Sequence, residues 1–307
     1  MQPSDILKEQ PSDILMDMLG AILDNECEKL EKLVFNNSEL INRPIGMPFD
    51  LPGGRFCTHP ALDEMVILQH PGQTLLDIAC GMPSGPIVWL LFSYGGHGSR
   101  HPLGSDLALH NAIKNGRTYS VQALLTPGRS DVNGIPGVLW TPILQAVFWN
   151  VPAVLRTLIK RGGSVHDAGP SPSSSGTHTA LQLCLERRAA QYSDVTARTK
   201  RNEILMMLLE AGANIHVAPP QGTSLTPFEK FIEPWQSSAY WAMNMSCLEH
   251  DILALFIRHG ADLHTRFFGA PCSAFSSTTF AHQAIWHSAP TISALLAANF
   301  PPAPAPT

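Results

Sequence analysis

One pattern recurs along this chain, and it restricts what the chain can become. Residues 141–167, TPILQAVFWNVPAVLRTLIKRGGSVHD, open with Thr-Pro and an apolar residue and reach the small Ala146. A second apolar stretch follows (Val154, Leu155, Leu158, Ile159), and the segment closes on Gly162 and Val165. The same order returns at Thr74 (TLLDIAC, with Ile87, Leu91, Phe92 and Gly95) and at Leu107 (LALHNAI, with Val121, Leu124, Leu125 and Gly128). It returns again at Thr179 (TALQLCL, closed by MMLLEAGANIH at 206–216), at Thr226 (TPFEKFI, closed by LFIRHGADLH at 255–264) and at Thr279 (TFAHQAI, with Ile292, Leu295 and Leu296). The start-to-start spacings are 33, 34, 38, 47 and 53. A weaker copy lies near the N-terminus, where Met18, Ala21, Ile22, Leu30, Leu33 and Val34 match Leu109, Ala112, Ile113, Val121, Leu124 and Leu125. A period of this size points to stacked supersecondary units, none of which buries its apolar face alone.

Each unit reads as two helices and a loop. Thr before Pro caps the first helix, and Pro stands where its missing N–H costs nothing. Ala79, Ala112, Ala146 and Ala284 are small enough for helices to approach closely. Gly95, Gly128, Gly162, Gly212 and Gly260 end the second helix, where a positive φ is wanted, and Asn299 stands near that place in the last unit. Gly116 and Asn150 fall at the turn between the paired helices.

These residues carry a resemblance to the ankyrin-repeat family, whose unit is about 33 residues with a T-P-L-H-x-A opening. LALHNAI (107–113) and EAGANIH (210–216) match it best. His110 and His282 keep the opening's His, with Leu107 in place of Thr in one and Phe280 in place of Pro in the other. The resemblance implies an all-α solenoid of six to seven helix–turn–helix units with long irregular loops. An N-terminal segment, 1–15, would precede a repeat array over 16–300, with units starting near 16, 74, 107, 141, 179, 226 and 279, and a Pro-rich tail at 301–307 would follow. The insertion-rich style is similar to ankyrin proteins of filamentous fungi. The duplicated QPSDIL at 2–7 and 10–15 reads as a helix start with Ser12 as N-cap.

Departures from the period are insertions. Residues 36–73 form a long connection, 168–178 (AGPSPSSSGTH) reads as a flexible loop, and 187–201 falls between the helices of the fifth unit. Residues 234–246 and 266–278 lengthen the last two units. Composition fits such a chain: 44% of residues are hydrophobic, enough for a core, while only 15% are charged. Gly and Pro supply 23 and 26 residues. The net charge of -5 argues against bulk attraction to nucleic acid or anionic lipid. Residues 1–73 carry 12 acidic and 5 basic groups, and the rest of the chain is slightly basic. Arg187, Arg188, Arg198, Lys200 and Arg201 cluster in the fifth unit's insertion and read as a solvated loop. An acidic partner, or docking of the acidic N-terminal segment, is the sharper alternative.

Catalytic and metal chemistry finds no foothold. The six cysteines include no CxxC pair. His166, His216 and His264 hold one repeat position, on layers about 10 Å apart, too far for one zinc with Zn–N near 2.1 Å. Cys247 and His250 are only two candidate ligands, and His97 and His101 lie in a Gly-rich stretch. Cys80 and Cys184 read as buried, inert thiols. No GxSxG, P-loop or HExxH occurs. A non-enzymatic chain without cofactor or metal is expected. With no signal segment or long apolar run, the expectation is an intracellular protein, cytoplasmic or nuclear, binding neither membrane nor nucleic acid and monomeric.

The aromatic residues say more. Trp140 precedes Thr141 in the projecting loop, and Phe148 and Trp149 follow Ala146 and Val147 on a first helix. The resemblance places such positions on the concave groove that holds a protein partner. Trp286 and His287 take the same places in the last unit, Asp106, Lys114 and Asn115 in the third, and Glu186 and Arg187 in the fifth. Aromatic and Arg side chains supply most interface hot spots. The competing reading packs these aromatics between units or beneath loops. The function expected is a non-catalytic protein–protein interaction module. The alternative is a structural repeat segment acting in cis within a larger, NTPase-linked regulatory protein.

Overall fold

The computed structural model describes residues 11–45, 72–99, 106–134, 140–170, 177–189, 194–216, 226–232 and 247–261. Among the described residues there are twelve α-helices, which follow one another as six pairs. They are α1 (Pro11–Leu23) and α2 (Cys27–Asn36), α3 (Leu75–Gly81) and α4 (Gly85–Ser93), α5 (Leu107–Lys114) and α6 (Thr118–Leu124). Then come α7 (Pro142–Phe148) and α8 (Pro152–Lys160), α9 (Ala180–Ala189) and α10 (Val195–Glu210), α11 (Pro227–Ile232) and α12 (Cys247–Arg258). The chain divides into two compact units, one of residues 1–145 with 160–162, the other of 146–159 with 163–307.

In the first unit, α1 packs on α2, α3 on α5, and α5 on α6. The apolar positions of the recurring pattern are those that go inside: Met18, Ile22, Leu30 and Val34, then Ile78, Ala79, Ile87 and Leu91, then Leu109, Ala112, Ile113, Val121 and Leu124. Each fully buried large aliphatic side chain contributes about 1.5–3 kcal/mol. The turn between paired helices repeats at backbone level. Asn25 and Gly116 have φ of 58° and 66°. The next residue in each case, Glu26 or Arg117, donates its N–H across the turn to Ala21 O or Ala112 O at 2.8 Å. Asn tolerates this left-handed backbone better than other side chains do, so Asn and Gly alternate there.

The first-helix caps follow the sequence with two exceptions. Thr74 and Asp77 form a reciprocal capping box. Thr179 with Gln182 and Thr226 with Glu229 repeat it: the Thr hydroxyl accepts from the N–H three residues on, at 3.3 Å each, and the polar side chain there accepts from the Thr N–H. Where Leu107 replaces Thr, the cap moves to Asp106, whose carboxylate accepts from Leu109 N at 3.2 Å. Thr141 departs from expectation. Its third helical residue is Leu144, and its hydroxyl has no hydrogen-bond partner among the described residues. Ser12 also differs, because α1 begins at Pro11 and takes Ser12 into its first turn.

The long connection after α2 is pinned at both ends. A short 3-10 turn spans Ser38–Leu40, and Ile45 N donates to Gln73 O at 2.7 Å. The side-chain amide of Asn42 donates to Gly95 O at 3.0 Å and accepts from His97 N at 2.9 Å, holding the loop that follows α4.

In the second unit, residues 168–178 are not wholly loop. Strands β1 (Ala168–Pro170) and β2 (Thr177–Thr179) pair antiparallel, Gly169 opposite His178. The insertion at 187–201 differs from expectation too. Arg187 and Arg188 belong to α9, and residues 195–201 extend α10 to 16 residues. Asp194 caps it, accepting from Ala197 N at 3.1 Å. The basic cluster is therefore not one solvated loop. Lys200 is exposed, whereas Arg201 is fully buried at 0%. Phe228, Phe231 and Phe256 form an aromatic core between α11 and α12, with centroids 5.6 Å and 5.1 Å from Phe256. Gly162 in the first unit has φ of +86°, with nothing within 4 Å of the place a Cβ would take. It is glycine for its backbone, not for space. Gly95, Gly128, Gly212 and Gly260, expected to end second helices in the same way, share the positive φ.

Candidate partner-binding site

The expected binding residues fall into three groups. In the first unit, α5 and the residues flanking it carry Asp106, Lys114 and Asn115, and Trp140 stands just before α7. Asp106 does two structural jobs: it caps α5, and its other oxygen accepts from Ser130 Oγ at 2.5 Å, tying back the loop after α6. Asn115 caps the C-terminal end of α5 and turns its amide to Asn111 O at 2.9 Å. Asn111 in turn donates to Asp77 O at 2.9 Å. Lys114 is half-buried in the last turn of α5, a position favoured for cations.

Asp106 and Trp140 come together. They line one pocket of about 110 Å³ with Leu109, Arg129, Ser130, Asp131, Gly134, Pro142 and Gln145. Gln145 is buried and fixes the floor, donating to Trp140 O at 3.1 Å while its Oε1 lies 3.1 Å from His110 Nδ1. His110, the opening His of its unit, is therefore joined to the side chain of the following first helix.

In the second unit, Phe148 ends α7 and Trp149 follows it in the turn. Their rings meet edge to face with centroids 5.0 Å apart. Trp149 stays 37% exposed, so packing covers it only in part. Glu186 on α9 lies 3.3 Å from Nδ1 of buried His178 on β2, a contact that anchors the hairpin. Arg187 is on α9, and its side chain lies outside the described residues, as do Trp286 and His287 altogether.

Sequence reasoning looked to first helices and missed a cluster on a second one. Trp89 and Phe92, three apart on α4, meet edge to face at 6.1 Å. The guanidinium of Arg129 sits 3.5 Å from the Phe92 centroid and 5.5 Å from that of Trp89. Trp89 is 42% exposed. The i, i+3 spacing of the two rings was available in the sequence; the distant arginine was not.

The buried groups outside this region are structural. Asp77 accepts from Thr74 N at 2.8 Å and from Ser99 Oγ at 2.7 Å. Burial nevertheless pushes its carboxyl above the usual value, against those hydrogen bonds. Burial, and then the charges of Asp77 and Asp106, push the Cys80 thiol up, away from the reactive thiolate. Cys184 is buried and donates to Arg201 O at 3.6 Å. His166 and His216 are exposed, and His264 lies outside the described residues. No group of three or more His, Cys, Asp or Glu among the described residues is placed to hold a metal ion. No helix among them is long and apolar enough to cross a membrane.

No protein-family model matches the sequence, and no curated protein matches it. Solved structures do match the fold. The ankyrin repeat domain of Bcl-3, described as a unique member of the IkappaB protein family, aligns with a TM-score of 0.52 at 17% identity, over 91% of this chain and 97% of that chain. The human ASB11 ankyrin repeat domain aligns with a TM-score of 0.47 at 19% identity, over 93% of this chain and 99% of that chain. At such identity the likeness is one of fold. The chain has the ankyrin-repeat fold, an all-α solenoid of helix pairs.

Proposed function

We propose that this chain is a non-catalytic protein–protein interaction module that binds its partner through the first helices and the loops before them, the concave side of an ankyrin stack. One observation carries the reading. Asp106 and Trp140, two residues at first-helix and loop positions, open on a common pocket. Trp149, at the end of another first helix, keeps an exposed ring. Exposed Trp next to fixed polar groups is the composition of an interface hot spot. Ankyrin-repeat domains, moreover, typically act by binding other proteins.

The buried polar groups support a binding rather than a catalytic role. Asp77, Gln145 and Arg201 spend their hydrogen bonds on the chain's own backbone and side chains. Affinity purification of the intact chain, followed by mass spectrometry, tests the reading. Recovery of a protein in stoichiometric amount supports it. A steady-state turnover of a small molecule, with no protein retained, contradicts it.

A further inference from the structure

We infer that the pocket beside Trp140 receives a basic side chain, lysine or arginine, from the partner polypeptide. The inference rests on the interaction reading above and adds the chemistry of the contact. The space of about 110 Å³ is the scale of one extended side chain rather than of a helix or a cofactor. Its lining is of two kinds. Trp140, Leu109 and Pro142 supply an indole and apolar walls, while Asp106 and Asp131 supply two carboxylates.

The carboxylates are held in place. Asp106 accepts from Leu109 N at 3.2 Å and from Ser130 Oγ at 2.5 Å, and Asp131 accepts from Asn133 N at 2.8 Å. Each carboxylate has about four acceptor sites, so capacity remains for an incoming N–H. Arg129 is the one cation among the lining residues, set against the two carboxylates, and its guanidinium lies 3.5 Å from the centroid of Phe92. The balance facing an occupant is thus acidic. A long aliphatic stem ending in a cation suits such a lining: methylenes on Leu109 and Pro142, charge beside an indole and two carboxylates. An acidic side chain would meet like charge, and a purely apolar one would leave the carboxylates facing carbon.

The test pans a random dodecapeptide phage library on the intact wild-type chain. Selected peptides are synthesised with their shared basic residue and with its neutral replacement, norleucine for lysine or citrulline for arginine. The expected result is about a tenfold weaker binding of the neutral peptide. Asp131→Asn keeps the turn acceptor and removes the charge. It is expected to weaken the basic peptide about threefold to fivefold and leave the neutral one unchanged. Neutral peptides that bind within twofold of the basic ones overturn the inference, as does an equal effect of Asp131→Asn on both. Peptides that lose affinity with Trp140→Ala but not with loss of the basic residue overturn it while leaving the interaction reading in place. A selection that enriches no peptide overturns both.

Discussion

The guanidinium of Arg201, in α10, donates to the carbonyl of Val147 near the end of α7. That carbonyl is one of the four that a helix end leaves without an intrahelical partner. It already accepts from Asn150 N at 3.2 Å, and the buried cation adds a second, charged donor that complements the negative end of the helix. The same device appears in the first unit, where Arg117 Nε donates to Gly81 O, at the end of α3, at 2.9 Å. Arg161 Nη1 likewise reaches Leu125 O, just past α6, at 3.4 Å. Arginines thus bond one helix pair to the end of the pair before.

This makes Arg201 a stability residue. Arg201→Ala leaves a cavity and removes the buried charged hydrogen bond to Val147 O, and is expected to cost about 2–4 kcal/mol. Arg156 forms an exposed ion pair with Glu203 at 2.5 Å, and Arg156→Ala is expected to cost under about 1 kcal/mol. Urea unfolding of the two variants checks the ranking. Similar losses would contradict it.

The caps give a second contrast. Thr74→Ala breaks a capping box and is expected to cost about 1 kcal/mol or somewhat more. The hydroxyl of Thr141 has no partner among the described residues, so Thr141→Val is expected to be neutral or slightly stabilising. Thermal midpoints measured side by side check the contrast; equal losses at Thr74 and Thr141 would contradict it.

Asp77 gives a pH signature. Its folded carboxyl titrates above the ordinary value because burial disfavours the charge. Between the unfolded value, about 3.9, and the higher folded one, the native state holds a proton that the unfolded state has lost. Stability from this group is therefore greatest below that window and falls as pH rises through it. The unfolding free energy of wild type minus that of Asp77→Asn is expected to fall, as a signed quantity, as pH rises through the window. A rise of wild type relative to Asp77→Asn with pH across the acid range would contradict the assignment.

Much of this was legible in the sequence because the fold is local. A glycine after the second helices α4, α6, α8, α10 and α12, a small residue inside the first helices α1, α3, α5, α7 and α9, and a Thr with a polar residue three places on are short-range features. Each appears as a left-handed turn, a close packing or a cap. Arg201 was not legible. Its neighbours Arg198 and Lys200 suggested a solvated loop, and only the extra turns of α10 rotate it inward to Val147, 54 positions away. The hairpin at 168–179 was hidden for a similar reason, since its Ser/Gly-rich middle dominates the composition while the pairing of Gly169 with His178 is set by three residues on each side. At the candidate site, Trp140 and Asp106 could be chosen by repeat position. Their meeting in one pocket, and the contact of Arg129 with Phe92, depend on loop geometry that periodicity does not carry.

Trp140 and Trp149 bear the functional account. Trp149 is 37% exposed and Trp140 half-buried beside a cavity, so truncation of either is expected to leave the fold intact. The most direct measurement is quantitative affinity capture from the protein's own cells with wild type, Trp140→Ala and Trp149→Ala, with far-ultraviolet circular dichroism recorded on the same samples. The expected result is an unchanged helical spectrum in all three and at least about a tenfold loss of captured partner in each variant, the scale of a hot-spot truncation. Partner recovery equal to wild type in both variants, with the spectrum unchanged, would contradict binding through this face.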